Sequence, residues 1–551
     1  MTSVATGAPG ARYRHSRLIL GICCMSLLIV SMDSMAVNVA LPSIRRDFGS
    51  SVSGLQWTID AYTLVLASFL ILSGSTADRI GRRRTFQLGL AIFTVGSLLC
   101  SIAPGVGWLI AFRIMQALGG SMLNPVAMSI ITATFTEPSR RARAVGVWSA
   151  VVGVSMAIGP LVGGALTDSV GWRGIFWINV PIGAAAVVLT FLFVPESRSG
   201  RRRRLDPIGQ LLIVATLAGL IAGLIEGPHL GWTNPITIGL FAMFGGAIST
   251  FIAWEHHRTE PLIELRFFRS IPFSSAVLTA LAGYASNGAF LFLITLYLQD
   301  VRHLSAFQAG LHTLPMAVAQ IICSNISGRL VGTRGTRLPL MLSSSALGLA
   351  AMILTGLTPT TPIVLILTVF LVYGIGQGLL NAPITTTAVS GMPASQSGSA
   401  AGVTSTARQV GTSLGVAVAG TLTGIGASSR IGPDFTANTH RMWWAMLGLM
   451  AVIFALSWLA NSPLGQRSRG RIAHLFDDDD HAPRTAAMSR AARSDVKTFS
   501  SGTGLPEESV SGTRQFGYSS TEPGWFCVRR SPTASGSESA RRRAGVWARK
   551  R

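Results

Sequence analysis

The sequence predicts an all-α integral membrane fold. It reads as fourteen transmembrane helices, arranged as two six-helix bundles related by a parallel pseudo-two-fold axis, with two extra helices in the middle. Three observations predict it: a ladder of apolar runs, an alternation of arginine between those runs, and an internal repeat.

The ladder comes first. An apolar helix of about 20 residues rises about 30 Å, the thickness of a bilayer's hydrocarbon core. The first 462 residues read as one such run after another, at 17–38, 55–75, 86–103, 107–132, 144–166, 174–194, 207–226, 236–254, 272–297, 308–330, 338–356, 362–384, 399–423 and 442–460. Little chain is left between them, which points to a membrane transporter or channel and away from a soluble enzyme. Composition agrees: 49% of the 551 residues are hydrophobic and only 12% are charged, against about 25% charged in a soluble domain. The run from Leu18 to Ala40 is too long for a signal-peptide core and is expected to be the first span.

Net charge is +22. In a soluble chain this would suggest nucleic acid; here the positive residues lie between spans and in the tail. One set of loops carries 24 arginines, among them Arg12, Arg79, Arg82, Arg140, Arg201, Arg258, Arg329 and Arg467. The alternate set carries six: Arg45, Arg46, Arg173, Arg302, Arg430 and Arg441. By the positive-inside rule both termini are expected in the cytoplasm. An even number of spans requires the same. The basic residues are arginine except Lys497 and Lys550. With abundant Ala and Gly, that bias suggests a GC-rich bacterial genome and so a bacterial cell membrane.

The five cysteines form neither a disulfide framework nor a zinc-type pair. Residues 465–551 lack a span-length apolar run and are expected to form a disordered cytoplasmic tail. Within it, Asp477 to Asp480 before His481 reads as a solvated acidic patch rather than a metal site. The remaining divisions are a cytoplasmic N-terminus at 1–16, one six-helix bundle at 17–200, two extra central helices at 201–271 and a second bundle at 272–464.

The repeat supports that division. Ala144-Val-Gly-Val-Trp-Ser149 matches Ala400-Ala-Gly-Val-Thr-Ser405, and at the same offset Gly159 matches Gly415. Gly120 to Asn124 resembles Gly376 to Asn381, and the turn from Gly74 to Arg83 resembles Gly328 to Arg337. The displacement is eight spans each time. An even displacement makes the halves parallel, a known transporter plan, and leaves spans 7 and 8 as the extra pair.

Several motifs carry more specific information. Gly74-Ser-Thr-Ala-Asp78-Arg79-Ile-Gly81-Arg82-Arg83-Arg84 lies between spans 2 and 3. Its glycines permit a tight turn, and Asp78 can make charge-assisted bonds to its arginines. Positive-inside anchoring alone would not call for that aspartate. In span 5, Gly153 is followed by Gly159-Pro160-Leu-Val-Gly163-Gly164. Small residues permit close helix contact in lipid, and Pro160 removes a backbone hydrogen bond; the repeat copy has Val416 where the proline would fall. Met32-Asp33 to Pro42, Arg113-Ile-Met-Gln116-Ala-Leu-Gly119-Gly120 and Gly171-Trp172-Arg173-Gly174 to Pro181 complete the set.

In this order the motifs resemble those of the major facilitator superfamily, in particular its fourteen-span drug:proton antiporters. Ala117 and Gly174 depart from the usual glycine and aromatic. The resemblance implies a gating role for the first motif and proton-exchanging export for the second.

Depth arithmetic adds a site. Asp33 in span 1 and Arg113 in span 4 both fall about 22 Å from the inner edge. Intramembrane charges are costly and usually functional. Asp33 is therefore expected to carry or couple a proton, with Arg113 as the cation that tunes it, the alternative being a static ion pair that joins the two helices. Arg408 in span 13 is a second intramembrane charge, facing a central cavity or paired with a carbonyl. Asp60 and Glu226 are expected near the outer surface in the solvated interface, Asp60 as a secondary proton-site candidate. Asn124, Gln377, Asn381 and Gln409 are weaker cavity candidates, equally suited to holding helices together.

The expected function is proton-driven efflux of a small apolar or amphipathic compound, cationic ones included, by alternating access. The alternative is a proton-coupled transporter of an endogenous metabolite, exporter or importer; Gly159-Pro160 argues against import. The expected partners are the substrate, protons and the lipid bilayer, without nucleic acid, and the transport unit is expected to be a monomer. No cofactor is expected beyond the proton-motive force. Neither lysine follows a glycine, so there is no P-loop, and no partnered nucleophile points to an enzyme.

Overall fold

The structure is a computed structural model, and it describes residues 15–198, 206–258, 261–390, 392, 396–424 and 434–468. Residues 465–468, at the start of the expected tail, are helical; the rest of that tail and the acidic run lie outside these residues. Among them there is no strand.

The first bundle contains α1 (Ser16–Phe48), α2 (Val52–Ile80), α3 (Arg82–Ser101), α4 (Val106–Thr134), α5 (Pro138–Ser169), and a sixth span formed by α6 (Gly174–Trp177) and α7 (Asn179–Phe193). The extra pair is α8 (Pro207–Leu230) and α9 (Pro235–His256). The second bundle contains α10 (Ile271–Leu296, continued by a π-turn over Tyr297–Val301), α11 (Ala306–His312) with α12 (Leu314–Arg334), α13 (Arg337–Leu354), α14 (Ile363–Val389), α15 (Ser397–Thr423) and α16 (Phe435–Ala460).

Among the described residues, thirteen spans are long and apolar enough to cross a membrane. The fourteenth, α15, has the length but is rich in Ser and Thr and carries Arg408. It packs against α10, α2, α8, α14 and α16, so its polar groups meet protein, where they are tolerated.

The helices outrun their apolar runs. The first was expected to end at residue 38, yet α1 has 33 residues and continues through Pro42. Val37, Leu41 and Ile44 keep one face buried over that stretch, so tertiary packing offsets the interior proline. Gly49, at φ +59°, ends it.

The repeat is visible in the packing. Helix α1 lies against α5, and α10 lies against α15 in the same way. Both motif turns end in a glycine at positive φ, Gly81 at +117° and Gly335 at +75°, a conformation that a side chain would strain. Helices α8 and α9 pack on each other, and α8 also touches α2 and α15, one from each bundle.

The bundles are tied together at the arginine-poor end. Arg45 pairs with Asp300 at 3.1 Å. Gln299 Nε2 donates to Val39 O at 2.7 Å, and Gln56 Nε2 donates to Val416 O at 2.8 Å. Both Asp168 carboxylate oxygens accept backbone N–H groups at the start of α11, from Ala306 at 3.2 Å and Phe307 at 2.8 Å.

Candidate functional site

Helices α1 and α4 bring Asp33 and Arg113 together in the first bundle. Arg113 Nη1 donates to Asp33 Oδ2 at 2.5 Å. Asp33 Oδ1 accepts from Gln116 Nε2 and from Asn179 Nδ2, each at 3.0 Å. Arg113 also donates to Gln116 Oε1 at 2.7 Å and to Thr58 O at 3.3 Å. Its guanidinium lies 3.9 Å from the centroid of the Tyr62 ring. Asn179 donates in turn to Ser97 Oγ at 3.1 Å. Residues from α1, α2, α3, α4 and α7 thus surround one ion pair, and both of its members are 1% exposed.

Desolvating two charges costs several kcal/mol per ion by order of magnitude. Here the cost is offset by a short charge-assisted bond, two further donors on the carboxylate and an aromatic face under the cation. Gln116 and Asn179 appeared in the sequence only as members of motifs, and Tyr62 not at all. The distances assign them to the ion pair.

Asp60 corrects an expectation. It is 0% exposed rather than solvated at the outer surface. Ser413 Oγ on α15 donates to its Oδ1 at 2.9 Å, and its Oδ2 has no partner. The reason is the contact between α2 and α15, which covers this turn of α2 with the other bundle. Glu226 is half-buried and accepts from Trp57 Nε1 at 2.7 Å.

The Gly74–Arg84 turn is held within its own bundle. Asp78 lies 3.8 Å from Arg82, one turn on. The surrounding anchor is Glu196, which sequence reading missed. Its carboxylate accepts from Arg83 N at 3.2 Å and lies 3.7 Å from Arg84 Nε. A Cβ at Gly81 would collide with it. Arg83 also lies over the Phe191 ring at 5.4 Å. Gly74 has open space around it, and Arg79 is exposed.

The Gly-Pro motif of α5 faces two ways. A Cβ on Gly159 would sit 2.7 Å from Met35 Cβ, and one on Gly163 would sit 2.7 Å from Ala36 Cα. On the other side, a Cβ on Gly153 would meet Ile321 at 2.9 Å and one on Gly164 would meet Ala306 O at 2.5 Å. The Pro160 carbonyl abuts Gly310. The motif therefore packs α5 on α1 and, at the same time, on the second bundle. Pro160 also lines a void of about 20 Å³ between the bundles, with Met35, Asn38, Leu291, Leu298 and Met316.

The weaker candidates separate. Gln377 is buried and donates to Gly283 O at 3.3 Å and Tyr373 Oη at 3.2 Å, so it joins α10 to α14 instead of lining a cavity. Asn124 is half-buried, and its Oδ1 has no partner. Asn381 is exposed, while Arg408 and Gln409 are half-buried. Arg408 Nη1 donates to Asn381 Oδ1 at 2.8 Å and Thr385 Oγ1 at 3.4 Å, and its Nη2 donates to Ser405 Oγ at 2.8 Å. All three acceptors are side-chain oxygens, and that of Asn381 is an amide carbonyl, so the expected pairing with a carbonyl is seen at a side chain. Among the described residues no cluster of His, Cys, Asp and Glu could hold a metal ion.

A family model of the Major Facilitator Superfamily matches residues 23–416. The chain belongs to that superfamily. It is a multi-pass membrane transporter, with relatives that share most of its length. It is 35% identical over 411 residues to the multidrug resistance protein Stp of Mycobacterium tuberculosis, covering 74% of this chain and 76% of that one. It is 34% identical to the tetracenomycin C resistance and export protein of Streptomyces glaucescens, over 78% and 79%. It is 33% identical to the methylenomycin A resistance protein of Streptomyces coelicolor, over 76% and 90%.

Among solved structures, it resembles an inward-facing, unoccupied bacterial homologue of the human lysosomal transporter Spinster. The TM-score is 0.56 and the identity 18%, over 84% of this chain and 98% of that one. It also resembles the peptide transporter POT in complex with sulfate, with TM-score 0.60 and 15% identity, over 82% and 95%. These two show the shared fold.

Proposed function

We propose that this transporter exports a small apolar or amphipathic compound from the bacterial cytoplasm in exchange for protons. The resistance and export proteins among its relatives support the direction and the class of cargo. The observation that carries the proton reading is the buried Asp33–Arg113 pair. It is a carboxylate that can take up a proton inside the membrane, held by a cation that would be left with Gln116 and Tyr62 when Asp33 is neutral. Asp60, buried where the bundles meet, is the second proton site.

The 24 arginines on one set of loops support a cytoplasmic position for both termini in the cell membrane. In that orientation the tied end faces outward. Rocking of the bundles then alternates access, using Gly159, Gly163 and Gly164 as contact surfaces and the Gly74–Arg83 turn as the inner gate. The electrical gradient supplies about 2.3 kcal/mol per charge per 100 mV. The chain works as a monomer without a cofactor.

The test is dye efflux from expressing cells, with and without a protonophore, comparing wild type with Asp33→Asn. Protonophore-sensitive efflux that the variant loses is the expected result. Full coupled efflux by the variant would refute the role of Asp33.

A further inference from the structure

Among the described residues, Arg408 of the second bundle has no acidic side chain within ion-pair distance, and the stripe of α10 that it packs against leads to the space between the bundles. Tyr284, Leu291 and Leu298 recur every seven residues along α10 and its π-turn, two helical turns apart and so on one stripe. Leu291 and Leu298 line the void between the bundles, and Tyr284 continues that stripe toward the arginine-rich end. The Arg408 guanidinium lies 6.0 Å from the Tyr284 ring centroid. It reaches across from α15 to Asn381 and Thr385 on α14. Arg408 therefore sits on the inter-bundle face, about 16 Å along α15 from Ser397.

Its acceptors, Asn381, Thr385 and Ser405, are all neutral. They fix where the guanidinium points without cancelling its charge, and they leave some of its five N–H donors free. The carboxylates of the described spans are engaged elsewhere. Asp33 is enclosed with Arg113, Asp60 is covered by Ser413, and Asp300 pairs with Arg45 at the tied end. An intramembrane arginine is costly to keep. A structural strut between α14 and α15 would need only a neutral donor. A planar fork held in place over an aromatic ring is instead suited to a carboxylate or a delocalised oxyanion.

We propose that Arg408, with Asn381 and Tyr284, forms a substrate subsite selective for amphipathic compounds with an anionic oxygen. The class is an apolar, ring-bearing molecule carrying a phenolate, enolate or carboxylate, rather than a cationic drug. The anion meets Arg408, and the apolar body lies on Tyr284, Leu291 and the facing Met35. This rests on the export reading for its place in a transport cycle, but the charge preference is a property of binding alone.

Two xanthene dyes of similar shape and opposite charge test it: fluorescein, an anion, and tetramethylrhodamine methyl ester, a cation. Binding to purified full-length protein in nanodiscs is read by fluorescence anisotropy. Wild type is expected to bind the anion about tenfold more tightly or better, the scale of one hydrogen bond to a charged group. Arg408→Gln removes the preference and Arg408→Lys keeps most of it. A wild type with equal or reversed preference, a preference that survives in Arg408→Gln, or no binding of either dye overturns the proposal. Uptake into proteoliposomes under a pH gradient is measured in parallel. Anion-selective binding without gradient-driven uptake would sink the export reading and leave the subsite standing.

Discussion

The two bundles share a plan and differ in what joins their central helices. In the first, α1 and α4 are joined by a buried ion pair, with Arg113 Nη1 2.5 Å from Asp33 Oδ2. In the second, α10 and α14 are joined by a stacked aromatic pair, Phe290 on Tyr373, with ring centroids 4.0 Å apart and an interplanar angle of 13°. Neutral bonds from Ser286 and Gln377 to the Tyr373 hydroxyl complete that contact. A proton added to Asp33 would remove one charge of the first join. The aromatic join has nothing that titrates near neutral pH. One scaffold used twice carries a buried ion pair in one half and, in the other, an arginine whose hydrogen-bond acceptors are neutral side chains.

The largest expected effect breaks the charged join. Arg113→Ala leaves Asp33 buried without its cation and should cost about 3–5 kcal/mol, read as a lowered unfolding midpoint in detergent. The double variant Asp33→Asn/Arg113→Gln should recover much of that stability while proton-coupled efflux stays lost. Recovery of coupling as well would mean that the pair is only structural. Asp33→Asn alone should reduce coupled efflux by about two orders of magnitude, the scale of removing a positioned proton carrier.

Next comes the contact that the first bundle makes on itself and on its partner. Gly163→Val would drive a side chain into Ala36, and overpacking of this kind costs about 1–3 kcal/mol. Gly146→Ala, on the same helix but with open space around it, should leave both stability and efflux unchanged. A smaller loss is expected in the aromatic join. Tyr373→Phe removes two hydrogen bonds but keeps the stack, and should cost about 1 kcal/mol with coupling intact. If it abolished coupling, the contrast between the joins would fail.

The smallest effect lies outside both joins. Asp206 caps α8, accepting from Gly209 N at 3.0 Å, Trp254 Nε1 at 3.0 Å and Arg258 Nη2 at 3.3 Å. Burial alone would raise its pKa, but these donors outweigh burial and hold it below the usual carboxylate value. A depressed folded-state pKa means a stabilisation present above the unfolded value and lost as pH falls through the folded one. Asp206→Ala should therefore cost about 1 kcal/mol at neutral pH, and the difference from wild type should shrink in acid. A constant difference across that range would show that the cap acts without its charge.

Much of this was legible in the sequence because it is one-dimensional. Span length, apolar runs and arginine counts are properties of consecutive residues, and bilayer thickness converts them directly into topology. The repeat was legible because its glycines recur at a constant offset, and Gly81 and Gly335 then prove to share a backbone conformation. Asp33 and Arg113 could be paired because both depths count from a membrane edge. Depth misled at Asp60, since a residue near the end of a span may face lipid, water or the other bundle. Its partner Ser413 is 353 residues away. Gln377 stayed open between cavity and helix contact for the same reason, as a polar residue inside a span has no direction until its neighbours are known.

The sequence by itself determined the membrane-spanning, all-helical class, the division into parallel halves, the superfamily and the one ion pair that depth alone predicts. The class, the halves and the pair follow from solvent partitioning and local spacing, and the superfamily from the resemblance of its ordered motifs. Only the tertiary structure decided which end of the bundles is tied, that Glu196 anchors the Gly74–Arg84 turn, that Asp60 is sealed by the second bundle, and that the Arg408 guanidinium is held by neutral side chains. Each of those depends on the rotation of one helix against another, which is set by side-chain packing across hundreds of residues of chain.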